Sequence, residues 1–287
     1  MIDLKGKEQW YSKLFRIVNS AVCFSIAYIV LTYLHWVVMA LVGNVFKFDA
    51  FVYYFGIKFI LVSEVWTRLK VTFVYGSGPV FFLVAGLFCV YFYSRLKKFP
   101  TLLNVLFLWG FVIGTSVFCA QGAVASLGAG EYNSPFYQGF TVVYAWWRIP
   151  EAGVYFFAIP FAVLLLYFSA NYGRLFLIFA YSYTKVNKLN RRRRYFLEVA
   201  IVPYIIGCLI TSVVTFPMNI FVHAIYLLTI GLALILAWLT LFYIEIMKDD
   251  VVKYKSLQSI SFGYIILLGS IIAFIMLTWR GIYLSFS

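Results

Sequence analysis

Residues 44–70 read NVFKFDAFVYYFGIKFILVSEVWTRLK, and whether this stretch crosses a lipid bilayer decides the fold of the whole chain. It is apolar along most of its length, yet it carries Lys47, Asp49, Lys58 and Glu64. A Lys or Asp at the centre of a membrane helix costs roughly 2.5–3.5 kcal/mol even on the most lenient insertion scales. Its Phe, Val, Tyr and Ile content alternates in part with polar residues, which is a strand pattern rather than a helical one. The segment therefore reads as a β-hairpin or re-entrant stretch that touches the membrane without crossing it. Backbone of that kind persists at membrane depth only where protein or water satisfies its polar groups.

The rest of the chain supplies the membrane. Of 287 residues, 64% are hydrophobic and 11% charged, and the mean hydropathy is +0.94. One water-soluble core could not bury that much apolar surface. Apolar runs able to cross a bilayer, which needs about 20 residues, lie near 17–42, 77–94, 101–127, 152–172, 195–216, 220–246 and 258–279.

Charge sets their orientation. With seven crossings and the N-terminus inside, one face collects Lys5, Lys7, Lys13, Arg16, Arg95, Lys97, Lys98, Lys185, Lys188, Arg191, Arg192, Arg193, Arg194, Lys248, Lys253 and Lys255. Cytoplasmic loops carry such an excess of Lys and Arg. An eighth crossing at 44–70 would move either the first cluster or all the later ones to the far side. The expected fold is an all-α polytopic membrane protein of about seven transmembrane helices, N-in and C-out, forming a single integral membrane domain.

Within it, the fourth apolar run continues to about residue 184. NYGR at 171–174 is expected to interrupt it, leaving LFLIFAYSYTKV as a helix along the inner interface. The basic loop 185–194 follows, and Lys188 with Arg191 to Arg194 are candidates to bind anionic lipid or an acidic partner, at about 1 kcal/mol per charge. The first apolar run has no small-residue cleavage site after it, so it is expected to be retained. No Asn-x-Ser/Thr acceptor occurs, which points to a bacterial inner membrane.

The first half of the chain carries a second pattern. His35-Trp36-Val37-Val38-Met39 is followed by ALVGNVFKFDAFVYYFGIKF and then TRLKVTFVYGSGPVFFLVAGLF, with Gly78-Pro79 near the start of the second apolar run. In order and spacing, residues 25–127 resemble the site-2 protease family of intramembrane zinc metalloproteases. That family has an HExxH helix, a small-residue exit, a β-like membrane-associated segment, and a helix with a Gly-Pro pair. The resemblance implies a degenerate three-helix core over 17–127. Its chemistry does not carry over: Trp36 replaces the general base and Met39 the second His. The third run, NVLFLWGFVIGTSVFCAQGAVASLGAG, has no Asp to serve as the remaining ligand.

Other chemistries find little footing. Cys23, Cys89, Cys119 and Cys208 are isolated in apolar runs, a spacing that suits neither disulfides nor a thiolate metal site. The only histidines, His35 and His223, fall at similar depth on different helices and could in principle be axial ligands of a haem. No acidic residue falls at mid-bilayer, where ion-coupled carriers place one. The net charge of +13 follows the membrane edges rather than forming a nucleic-acid-binding surface.

What remains is packing surface. Gly110 and Gly114 let another helix approach closely. The extracytoplasmic loop 128–151 is aromatic and nearly uncharged, with Phe136, Trp146 and Trp147 as candidate partner contacts. Beyond it, 152–287 supplies four further helices. The expectation is a non-catalytic subunit that binds other membrane proteins and anionic lipids, with no cofactor and no nucleic acid. The alternatives are a transporter or channel for a small or lipophilic substrate, and a residual metalloprotease.

Overall fold

A computed structural model describes residues 4–54, 56–60, 65–96, 101–128, 138–178, 180, 183–215, 220–244, 261–278 and 281–284. Helix α1 (Leu4–Val45) leads into an antiparallel hairpin, β1 (Ala50–Tyr53) and β2 (Gly56–Phe59). Then come α2 (Arg68–Leu96), α3 (Leu102–Gly128), the short α4 (Phe140–Trp147) and α5 (Glu151–Ile178). After a 3-10 turn at Tyr183–Lys185, α6 (Leu189–Phe196) runs through a π turn (Leu197–Ile201) into α7 (Val202–Thr215). α8 (Ile220–Thr240), α9 (Phe262–Leu277) and β3 (Ile282–Leu284) complete the described chain.

Six helical stretches are long and apolar enough to cross a membrane: Ser12–Val45, Arg68–Leu96, Leu102–Ala125, Glu151–Ile178, Leu189–Val214 and Ile220–Thr240. α9 is apolar but shorter, at 16 residues. Among the described residues, each apolar run expected from the sequence thus contains one of these helices.

The hairpin forms where alternation placed it. Ala50 pairs with Phe59 and Tyr53 with Gly56, and the buried Ala50 and Val52 pack on Trp36, Met39 and Ala40 of α1. β3 was not foreseen. It pairs antiparallel with the other edge of β1, Val52 opposite Ile282 and Ala50 opposite Leu284, and Tyr283 donates its hydroxyl to Asp49 Oδ2 at 3.2 Å.

The structure corrects several sequence expectations. NYGR does not interrupt α5, which continues to Ile178. The Asn171 side chain bonds back to the Tyr167 carbonyl four residues earlier, a pattern a helix tolerates. Gly173 lies close against α8, where a Cβ would stand 3.2 Å from the Ala237 carbonyl oxygen and 2.7 Å from Leu241 Cδ2 just beyond it. The basic run is likewise no loop: Arg191 to Arg194 lie inside α6, in the first turns of the span Leu189–Val214. Residues 140–147 of the expected outer loop are helical as α4.

α3 sits at the centre. In its most apolar stretch 83% of the residues are buried, against 11% in α5. Lipid gives helices no hydrophobic reason to associate, so close backbone approach and polar contacts must do it. At the α2–α3 crossing, Gly86 meets Gly114. A Cβ on Gly114 would lie 2.5 Å from the Phe82 carbonyl oxygen and 2.8 Å from the Gly86 Cα; one on Gly110 would lie 2.6 Å from Cys89 Sγ. Gly110 and Gly114, expected as partner contacts, are therefore occupied by α2 of the same chain. Between α3 and α5, the buried Tyr172 hydroxyl lies 2.6 Å from Thr115 Oγ1 and 3.1 Å from Ser116 Oγ.

Gly114→Ala should lower stability by about 1–3 kcal/mol, the cost of forcing a methyl into a filled contact. Gly269→Ala, at an α9 position with open space, should leave it unchanged. Denaturant titration of both variants in detergent measures the difference; equal stability would show the helices can separate freely at Gly114.

Candidate functional site

Along α1 the polar residues recur at Arg16, Ser20, Tyr28, Thr32 and His35, a spacing that returns close to one helix face. A polar face inside lipid must turn inward and find partners. Each of these side chains is buried or nearly so, and the contacts they make define the most chemically distinctive region of the molecule.

At the N-terminal end of α1, Glu198 in the π turn gathers three cations. Arg16 Nη2 lies 3.1 Å from Oε2, Lys13 Nζ 3.4 Å from Oε1, and Arg194 Nε 3.7 Å from Oε1. The Arg16 side chain is 6% exposed and that of Arg194 79%. The cluster thus has a buried inner pair and an open outer side.

One turn further along α1, Pro203 decides the geometry. Proline has no N–H, so the carbonyl four residues before it, that of Val199, loses its helical donor. The chain widens into the π turn there, and Ser20 Oγ donates to the Val199 carbonyl at 2.6 Å. Ser20 Oγ in turn accepts from Trp109 Nε1 at 3.0 Å. One hydroxyl joins α1, α3 and the π turn that leads into α7, and satisfies both a buried indole and an orphaned carbonyl.

Tyr28 carries the face onward, its hydroxyl 2.8 Å from His223 Nδ1 of α8. His223 Nε2 lies 3.4 Å from Ser212 Oγ of α7. Both nitrogens of this imidazole are engaged within the bundle. His35 Nδ1 sits 2.6 Å from the Thr32 carbonyl, a partner that can only accept, so Nδ1 carries the proton. The His35 ring packs on Trp36 at 3.8 Å and Phe82 at 4.9 Å. A Cβ on Gly78 would lie 3.3 Å from His35 Cδ2 and 2.9 Å from Met39 Sδ. Gly78 of α2 thus packs directly against His35 and Met39 of α1. The two histidines, by contrast, rest in separate surroundings, and this geometry lends no support to a shared haem.

Among the described residues, no three of the His, Cys, Asp and Glu side chains gather as metal ligands. A cavity of about 10 Å³ opens near the far end of α3, lined by Gln121, Gln138, Thr141 and Tyr226 among others. That is room for one water.

The arginine run divides into two jobs. Arg192 Nε donates to the Val186 carbonyl at 2.6 Å, and its Nη1 to the Ile244 carbonyl at the end of α8. Arg193 lies over the Trp238 ring at 4.8 Å. These two hold the fold together at this end. Arg191, which donates to the Thr184 carbonyl, and Arg194 and Lys188 are exposed. At the opposite end, Trp147 donates from Nε1 to Thr72 Oγ1 at 2.8 Å and stays 44% exposed. Trp146 is half-buried, and Phe136 lies outside the described residues.

The sequence pointed to the cations but not to their anchor. Nothing in the sequence alone marks Glu198, Ser20 or Tyr28 as the groups on which these contacts converge. The usable signal was Pro203, which strips a donor from Val199 and so demands a hydroxyl from a neighbouring helix.

Ser20→Ala should cost about 1–3 kcal/mol, because it leaves a buried carbonyl and an indole N–H unmet. In a double-mutant cycle with Trp109→Phe, a coupling of roughly 0.5–1.5 kcal/mol is expected. Strict additivity would mean the contact contributes nothing. No protein-family model matches this chain, and neither a curated protein nor a solved structure is detectably similar to it.

Proposed function

We propose that this chain is a non-catalytic, seven-span protein of a bacterial inner membrane, N-in and C-out, that serves as a partner-binding subunit of a membrane complex. Anionic lipid at the cytoplasmic face is part of this reading. So is descent of residues 17–127 from a core of the site-2 protease type, with Trp36 and Met39 in place of its base and second ligand.

The topology rests on a parity argument. β1 precedes α2 and β3 follows α9, and the two strands pair, so they share one side of the membrane. An even number of crossings must separate them. α2, α3, α5, the α6–α7 helix and α8 make five strong spans, so α9 must be the sixth. Its 16 residues reach about 24 Å, enough for a hydrocarbon core thinned by a few ångström.

The observation that carries the partner reading is α5. Tyr155, Phe156 and Phe157 are exposed in succession, followed by Ile159, Val163, Leu164, Leu166 and Tyr167. Three consecutive exposed residues sweep about 200° of a helix, so this half of α5 packs on the bundle by a narrow strip through Val154 and Phe161. Pro160 lies in the open arc and deprives the Phe156 carbonyl of its helical donor. A neighbouring subunit's helix would cover this face and could bring a side-chain donor to that carbonyl.

Two experiments bear on this. With Cys23, Cys89, Cys119 and Cys208 replaced by Ala, single cysteines at Gly56 and Tyr283 should react with a membrane-impermeant maleimide from outside, and one at Lys188 should not. Labelling of positions 56 and 283 from opposite sides would break the seven-span scheme. Photo-crosslinking residues at Phe156, Val163 and Tyr167 should yield protein adducts in intact cells, while Phe73 and Leu209 yield none. Lipid adducts alone at all five positions would overturn the subunit reading.

A further inference from the structure

We infer that the open side of the Glu198 cluster is a binding site for the phosphate of one acidic phospholipid, held by Lys13 and Arg194. The inference rests on the reading that this chain sits in a bilayer with anionic lipid at the basic end, and it assigns that attraction to one place instead of to the whole arginine run.

The argument begins with charge. Three cations surround one carboxylate, so the cluster keeps a net charge of about +2 when all are ionised. Arg16 is buried against Glu198 and satisfies it from below. Lys13 and Arg194 reach the same oxygen, Oε1, at 3.4 and 3.7 Å, and therefore lie within about 7 Å of each other. Their side chains are 40% and 79% exposed. Arg194 meets the carboxylate through Nε, and its guanidinium carries two further Nη groups with N–H donors, as the Lys13 ammonium carries three. Glu198 therefore preorders two cations at a spacing that one phosphate can bridge, with less side-chain entropy left to lose on binding. Charge-assisted bonds from Arg and Lys to phosphate oxygens are the strong kind. Arg191, one turn back on the same helix face and exposed, adds a third cation at the mouth.

The second line of argument is what lies beneath. Following the helix from Arg194 toward the opposite end, Leu197, Val202, Ile205, Leu209 and Val213 are all exposed, and they step along one side at near-helical spacing. Leu14, beside Lys13, is exposed too. A cationic head site continued by an apolar track matches an amphiphilic anion with acyl chains, and a free phosphate would leave that track unused. Arg192 and Arg193 do not contribute, because their guanidinium groups are committed to the Val186 and Ile244 carbonyls and to Trp238.

The test uses the purified full chain in a neutral detergent, delipidated and then titrated with dioleoylphosphatidylglycerol, dioleoylphosphatidylcholine or sodium glycerol-1-phosphate, and read by native mass spectrometry and thermal unfolding. One phosphatidylglycerol per chain should bind and raise the unfolding temperature; phosphatidylcholine and glycerol phosphate should not. Lys13→Gln/Arg194→Gln should weaken the adduct at least tenfold while leaving the Arg16–Glu198 pair and the lipid-free unfolding temperature in place. Arg95→Gln/Lys185→Gln removes the same charge from the same end of the bundle and should change binding less than twofold. Equal losses in the two double variants would reduce the site to diffuse surface attraction and overturn the proposal. So would equal stabilisation by glycerol phosphate, which would show a free-anion site. Because no partner protein is present, this result stands or falls separately from the crosslinking at α5.

Discussion

The structure depends on one constraint: a polar group inside a membrane protein must be met by another part of the same protein. The chain Trp109 Nε1 to Ser20 Oγ to the Val199 carbonyl shows how that constraint becomes architecture. Pro203 creates an unmet acceptor, and the π turn exposes it to α1. A hydroxyl on α1 supplies the donor, and an indole on α3 completes the hydroxyl. Remove any one and the others become buried liabilities. Tyr28 with His223, and Tyr172 with Thr115 and Ser116, repeat the logic between α1 and α8 and between α3 and α5. These bonds fix which helices are neighbours; the Gly86–Gly114 contact fixes how close two of them come.

From this follows a division between a rigid centre and an unfinished periphery. α1 and α3 carry the polar faces and are surrounded by protein. α5 is anchored at one end, where Tyr172, Gly173 and Phe176 are buried against α3 and α8, and is held along the other only by a narrow strip through Val154 and Phe161. α9 touches the bundle through α1, with Tyr33 against Phe274, and presents Ile266, Leu267 and Met276 outward. The polar chemistry is thus sealed inside, while the surfaces facing lipid are apolar and rich in aromatic side chains. Such a molecule meets its surroundings through shape and through its charged ends.

Hydropathy made the helices legible because insertion energy depends on composition summed over a long window. The hairpin could be read because Lys47, Asp49, Lys58 and Glu64 deny a crossing while the buried Ala50 and Val52 alternate with half-buried neighbours. β3 could not: Ile-Tyr-Leu has no pattern of its own, and its strand state exists only because β1 offers an edge. NYGR misled because Asn and Gly are helix breakers in water, whereas here Asn171 bonds its own helix and Gly173 makes room for α8. Periodicity could say that Ser20, Tyr28 and His35 share a face. It could not say that α7, α8 and α3 would meet that face, because the identity of a neighbour is a property of the whole packing.

The basic end shows how one sequence feature carries several physical duties. Arg191 to Arg194 read as a uniform run, since charge bias counts only their sum. Helical geometry then separates them by 100° per residue. Arg192 and Arg193 turn inward, where two carbonyls and an indole face receive them. Arg191 and Arg194 turn outward, and only Arg194 falls where Glu198 can steady it. The same run that reads as one block of charge also closes the joint between α6 and the chain just past α8 and shapes a surface cation pair with Lys13. A uniform run is economical for orientation because any arginine will do. For structure and recognition each position is distinct, and Lys could replace Arg192 only by giving up the fork that reaches Val186 and Ile244 together.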